Sequence, residues 1–180
     1  LRRSAPPPHL AMGRRRLAGL PLAPRNRYLP LVIDDLYSAK LLALAANLPR
    51  SGRLAAPDAS VERTAKLCGS RIVVDVTLDP EGRVADFAQD VKACALGQAA
   101  AAVVGANVIG ASEKEITAGR DQLRAMLKAG GPAPDGRFAD LAALQLVRDY
   151  PARHASTLLA FEAAAEAVAQ AKARTRRAAA

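Results

Sequence analysis

The sequence predicts an α+β domain: a small antiparallel sheet with helices packed on one face. Three observations carry this. A single hairpin signature stands in the first half of the chain, an alanine-rich run follows it, and a train of amphipathic segments closes the sequence.

The elements follow in order. Residues 1–30, broken by Pro6 to Pro8, Pro21, Pro24 and Pro30, read as an irregular arm. A first helix is expected from about Asp34 to Asn47, where Leu36, Leu41, Leu44 and Leu48 make a helical stripe. An acidic residue at its start, Asp34 or Asp35, suits the helix dipole, and the run Asn47 to Gly52, with Pro49 inside it, stops it. A loop through Ala55, Pro57 and Asp58 leads to the hairpin. There Ile72, Val74, Val76 and Leu78 alternate with Val73, Asp75 and Thr77, as in a strand. Asp79, Pro80, Glu81 and Gly82 supply turn chemistry, and Arg83 to Ala88 return antiparallel. Ala95 to Gly105 read as a buried helix whose alanines permit close packing. Helical turns over Ser112–Ala118 and Asp121–Ala129 follow, with Ser112 and Asp121 as N-caps. Gly130 to Gly136 form a loop. A short amphipathic helix over Phe138–Val147 ends at Pro151, and a last helix runs from about Ala155 to Arg176.

Composition limits what such a domain does. Of 180 residues, 51% are apolar, but alanine supplies much of that, and only three Phe and three Tyr are present. The core must therefore be helix-rich and built from small side chains. The formal charge of +9 is concentrated at the ends: seven Arg and no acid in residues 1–27, and Lys172, Arg174, Arg176 and Arg177 near the C-terminus. The remaining body is nearly neutral. A nucleic-acid module would carry its charge on the body, with aromatics to stack on bases, so RNA or DNA binding is not expected. No apolar run reaches the ~20 residues that span a bilayer. An Arg-rich, acid-free N-terminus resembles a mitochondrial transit segment, which would place the protein on the matrix side; the alternative is a plain disordered basic tail. A segment of this composition does not order itself, and points to a partner in a larger assembly. The expected organisation is thus a basic arm over 1–30, a domain over 31–171 and a basic tail over 172–180.

The residues that carry chemistry are few. Cys68 and Cys94, the only cysteines, lie equally far from Glu81 in the hairpin turn, so the hairpin carries both thiols to one end. Lys66, Arg71 and Lys92 nearby favour thiolates. The alternative is that each cysteine is a small buried apolar residue. His154, ahead of the last helix, is the third candidate metal ligand, unless it caps the helix or lies on the surface. A structural zinc site normally takes four ligands, and a fourth is missing. The Gly105–Gly110 stretch has neither the spacing nor the lysine of a phosphate-binding loop. Cys94 and His154 lack a third group to orient the base. An enzyme is not expected.

Three segments together resemble the IscU/NifU-type iron–sulfur cluster scaffold family. They are Lys66-Leu67-Cys68-Gly69-Ser70-Arg71, Lys92-Ala93-Cys94-Ala95-Leu96-Gly97-Gln98-Ala99, and the run from Val147 to Leu158. Leu36-Tyr37-Ser38 and Leu48-Pro49-Arg50 match the family's opening helix, so the resemblance spans about residues 34–170. It implies a sheet of about three strands, and a site of three cysteines with an aspartate and often a histidine. Cys68, Cys94 and His154 match that pattern. Ser70 stands where the family has its aspartate, and Ala155, or Ser156 in the other alignment, where it has its third cysteine. The resemblance then implies a degenerate scaffold with a vestigial or partial metal site and no cofactor of its own. Zinc or a [2Fe–2S] cluster would bind only with a partner-supplied ligand. The expected role is a non-catalytic accessory or structural subunit of a large mitochondrial complex, with a lean toward respiratory complex I. The alternative is an iron–sulfur scaffold or carrier that uses Cys68, Cys94 and His154.

Overall fold

The computed structural model describes residues 38–178. The arm of residues 1–30, and Asp34 and Asp35, lie outside the described residues. The first helix, α1, is Ala39–Ala46, and the Ser38 hydroxyl caps it by accepting the Leu41 N–H at 3.3 Å. Three strands follow: β1 (Ala59–Ala65), β2 (Ser70–Leu78) and β3 (Val84–Lys92). They form one antiparallel sheet in the order β1-β2-β3.

The hairpin forms where the sequence predicts it. Asp79 accepts the Arg83 N–H at 2.7 Å, and Gly82 takes φ +76°, a conformation that favours glycine. β1 is a strand that sequence reading passes over as loop. Only Ala59, Val61 and Ala65 of its seven residues are buried, and Glu62, Arg63 and Thr64 blur the alternation. β2, between two neighbours, is buried on both faces. Asp75 is therefore fully buried rather than on a wet face. Arg53 reaches it with a pair of hydrogen bonds, at 2.6 and 3.0 Å, and the Leu54 N–H donates at 3.0 Å. Burial alone would raise this carboxyl. The guanidinium, the Ser60 hydroxyl and the Leu54 N–H together hold it below its usual range.

The helices cover the sheet. α2 (Ala95–Asn107) buries Ala99 to Ala102, Val103 and Val104. α3 is one continuous helix, Glu113–Ala129, where two separate turns were expected. Gly119 falls in the gap between those two expected turns. Its real role is clearance, because a Cβ there would lie 2.6 Å from the Phe138 ring and 3.0 Å from that of Phe161. Those two rings meet edge to face at 5.0 Å. Asp121 is accordingly inside the helix, and Ser112 with Glu115 forms the capping box at its start. Gly136–Asp149 is 3-10 helix interrupted by a kink at Phe138, where φ is −111° and ψ 25°. Its buried residues Phe138, Leu141, Leu144 and Val147 recur every third position, the period that puts them on one face of such a helix.

Pro151 does not end an element but begins the last one, α4 (Pro151–Ala178). This helix packs on β1 and β2 and against α2 and α3. The basic stretch expected to be a tail from residue 172 is helix to Ala178, since nothing in its alanine- and arginine-rich sequence interrupts it. Lys172 pairs with Glu113 at 3.1 Å, and Arg174 donates to the Asp58 carbonyl at 2.7 Å. Among the described residues, no helix is long and apolar enough to cross a membrane.

Candidate functional site

The β2–β3 register sets Arg71 opposite Lys92. The chain entering β2 and the chain leaving β3 therefore share one end of the sheet. Cys68 sits in the β1–β2 turn, where Gly69 adopts φ +69° and its N–H closes on the Ala65 carbonyl at 2.9 Å. Cys94 occupies the N-cap position of α2. Both thiols line one open cleft of about 400 Å³, with Gly69, Ser70, Lys92, Ala93, Gln98 and Arg153. Cys68 is exposed and Cys94 half-buried, and neither is in a disulfide. The convergence expected from the hairpin is present.

The site has a second wall. Gly97, one turn into α2, has no side chain to hold α4 away: a Cβ there would lie 3.1 Å from the Ser156 carbonyl oxygen. This close approach brings the Ser156 hydroxyl to 3.5 Å from the Cys94 sulfur. The same hydroxyl donates to the Arg153 carbonyl at 3.0 Å. Cys68 Sγ lies 3.1 Å from the Ser70 hydroxyl. Ser70 holds the Cys68 thiol below its ordinary pKa, first through its hydroxyl and then through its backbone N–H. Partial burial opposes this, and the Ser156 hydroxyl and the Arg153 charge add to it. The Ser156 hydroxyl thus lies between the Cys94 sulfur and the Arg153 carbonyl.

His154 stands apart from the pair. It is buried, and its Nε2 lies 3.1 Å from both the Val147 and the Arg148 carbonyl oxygens. It ties the first turn of α4 to the end of the 3-10 segment and does not line the cleft. The reason is helical geometry. Arg153 and Ser156 are three residues apart and share a face, whereas His154 is rotated by about 100° from Arg153. Ala155 is exposed and is not part of the cleft either. Among the described residues, no three His, Cys, Asp or Glu side chains gather as a metal ion would need. Arg153 is the site residue that sequence reasoning missed, and Ser156 entered it only at the position of the family's third cysteine; their i, i+3 spacing at the start of a helix was the available signal.

The fold that carries this cleft also occurs in known structures. The chain is similar to the crystal structure of a nitrogen-fixing NifU-like protein (N-terminal) from Brucella abortus. The two share 51% identity over 79% of this chain and 98% of that one, with a TM-score of 0.77. This chain belongs to the NifU-like family. Its α+β fold, with a three-stranded antiparallel sheet under helices, is the fold of that relative. Two more distant structures share the fold. One is a putative iron–sulfur cluster assembly scaffold protein for the SUF system from Fervidobacterium islandicum AW-1. It has 18% identity, 75% of this chain and 98% of that one covered, and a TM-score of 0.68. The other is a hypothetical protein with 24% identity, 76% and 98% covered, and a TM-score of 0.62. No protein-family profile matches this NifU-like chain, and no curated protein does.

Proposed function

We propose that this NifU-like protein is a non-enzymatic iron–sulfur assembly scaffold or carrier that holds its cargo on Cys68 and Cys94. The observation that supports this most is the convergence of both thiols on one open cleft, with the Ser156 hydroxyl beside Cys94 and the Ser70 hydroxyl beside Cys68. Family membership supports it as well, since a structure of the same fold is described as a cluster assembly scaffold. These findings favour assembly over the accessory-subunit role expected from the sequence.

The chemistry follows from the side chains. Thiolates are the ligands iron–sulfur cargo requires, and hydroxyl or N–H donors to sulfur tune such a site. The Cys68 thiol lies below its ordinary pKa chiefly through Ser70, with the Arg153 charge adding a little. Cys94, at the head of α2, has the Ser156 hydroxyl beside its sulfur. An open, shallow cleft lets cargo enter and leave, as transfer demands. Two protein thiolates are half of the four strong donors a cluster usually takes, which favours a transient hold over a permanent one.

Anaerobic reconstitution with iron and sulfide tests the reading. The expected result is a visible-absorbing chromophore that transfers to an apo-ferredoxin. Absence of any chromophore both with and without a small thiol present, or binding of zinc alone, contradicts it.

A further inference from the structure

We infer that the cleft takes a small thiol bearing carboxylates, whose sulfurs supply the ligands that Cys68 and Cys94 leave open. The inference rests on the scaffold reading above and adds the identity of the missing ligands.

Three observations carry it. First, the ligand count stops at two: among the described residues no third His, Cys, Asp or Glu joins the thiols, and His154 is held by two carbonyls elsewhere. Second, the cleft is cationic and uncompensated. Lys92 and Arg153 line it, no carboxylate does, and neither forms an ion pair among the described residues. Arg71, close by, differs: it is paired with Glu62 at 3.2 Å and Asp90 at 3.4 Å. Third, the cleft is open, and at about 400 Å³ it is the size of a small-molecule site.

A thiol with carboxylates answers all three. Its sulfur ligates iron while its carboxylates meet Lys92 and Arg153, and Gln98 offers a polar side chain on the same wall. On ligation each thiol, of protein or small molecule, gives its proton to solvent, and no electron is transferred. A second copy of this chain answers the count less well. It would bring thiolates but also another Lys92 and Arg153, and no carboxylate from its own cleft.

The test uses the full chain, reconstituted anaerobically with ferric iron and sulfide in three ways: with glutathione, with 2-mercaptoethanol, or with no small thiol. Native mass spectrometry and sedimentation read the outcome. The expected species is one chain with one cluster and two glutathiones, and half-maximal loading needs less glutathione than 2-mercaptoethanol. Lys92→Gln and Arg153→Gln each raise the glutathione needed by about two- to fivefold, the worth of an exposed ion pair. Equal loading with either thiol overturns the inference. So does a cluster-bridged dimer formed without small thiol, or a glutathione requirement that neither substitution shifts. Failure to load under all three conditions overturns the scaffold reading itself, and this inference with it.

Discussion

The two ends of the sheet treat their charges differently. At the β2–β3 turn, ionic groups are matched within the chain: Arg83 meets Glu115 at 3.3 Å, Lys172 meets Glu113, and Asp79 and Asp58 accept the N–H groups of Arg83 and Leu78. At the thiol end, Lys92 and Arg153 face a cleft with no carboxylate, beside two sulfurs. Matched charges at the turn end fix a helix start and a hairpin. At the other end Arg71 is matched by Glu62 and Asp90, but Lys92 and Arg153 face the cleft without an ion pair among the described residues.

Substitution at the thiols should separate the two ends most sharply. Cys68→Ser and Cys94→Ser are each expected to abolish stable iron–sulfur loading, read as iron per chain after desalting. Cys68 is exposed, so its replacement should move stability by no more than about 0.5 kcal/mol. A Cys68→Ser protein that loads iron normally would break the comparison.

His154 sits near the thiol end yet belongs with the structural residues. His154→Ala removes the ring contact to the Val147 and Arg148 carbonyls, of which Val147's keeps the Tyr150 N–H, and should cost about 1–3 kcal/mol in chemical denaturation. Iron per folded chain should stay at the wild-type value. Loss of loading without loss of stability would restore the histidine to the ligand set.

Ser70 acts on one sulfur only. Cys68 should alkylate faster than Cys94 at neutral pH, and Ser70→Ala should slow Cys68 several-fold, followed by mass spectrometry of each site. Unchanged Cys68 kinetics would remove Ser70 from the site.

The smallest effect is expected at the turn end. The Ser112 N–H and hydroxyl, with Arg137 added, hold Glu115 at about 2, below its ordinary 4.5. A depressed carboxyl contributes stability that is complete above pH 4.5 and is lost as pH falls toward 2. The side chain is 40% exposed, so solvent screening keeps the slope shallow. Glu115→Gln should flatten that part of the stability curve and leave the cleft untouched.

Much of this was legible in the chain, for identifiable reasons. The alternation over Ile72 to Leu78 and the Pro80 and Gly82 punctuation gave the hairpin, and with it the meeting of Cys68 and Cys94. The alanine run gave α2. β1 was hidden because its buried residues are small and few. α3 was split across Gly119; a glycine needed for clearance beside Phe138 looks the same in sequence as one that ends a helix. The site was half legible. A lone His154 beside a helix start does not announce which way its ring turns, and Ser156 gains meaning only through the approach that Gly97 permits. Residues 1–37 lie outside the described structure, and so does the transit-like reading placed on most of them.

The central claim is that iron–sulfur cargo rests on the Cys68 and Cys94 sulfurs and on no imidazole of this chain. X-ray absorption at the iron edge of the reconstituted protein tests it most directly. The account predicts a first shell of sulfur alone, lost in the Cys68→Ser/Cys94→Ser double variant and unchanged in His154→Ala. A nitrogen scatterer with imidazole multiple scattering, absent from His154→Ala, would contradict it.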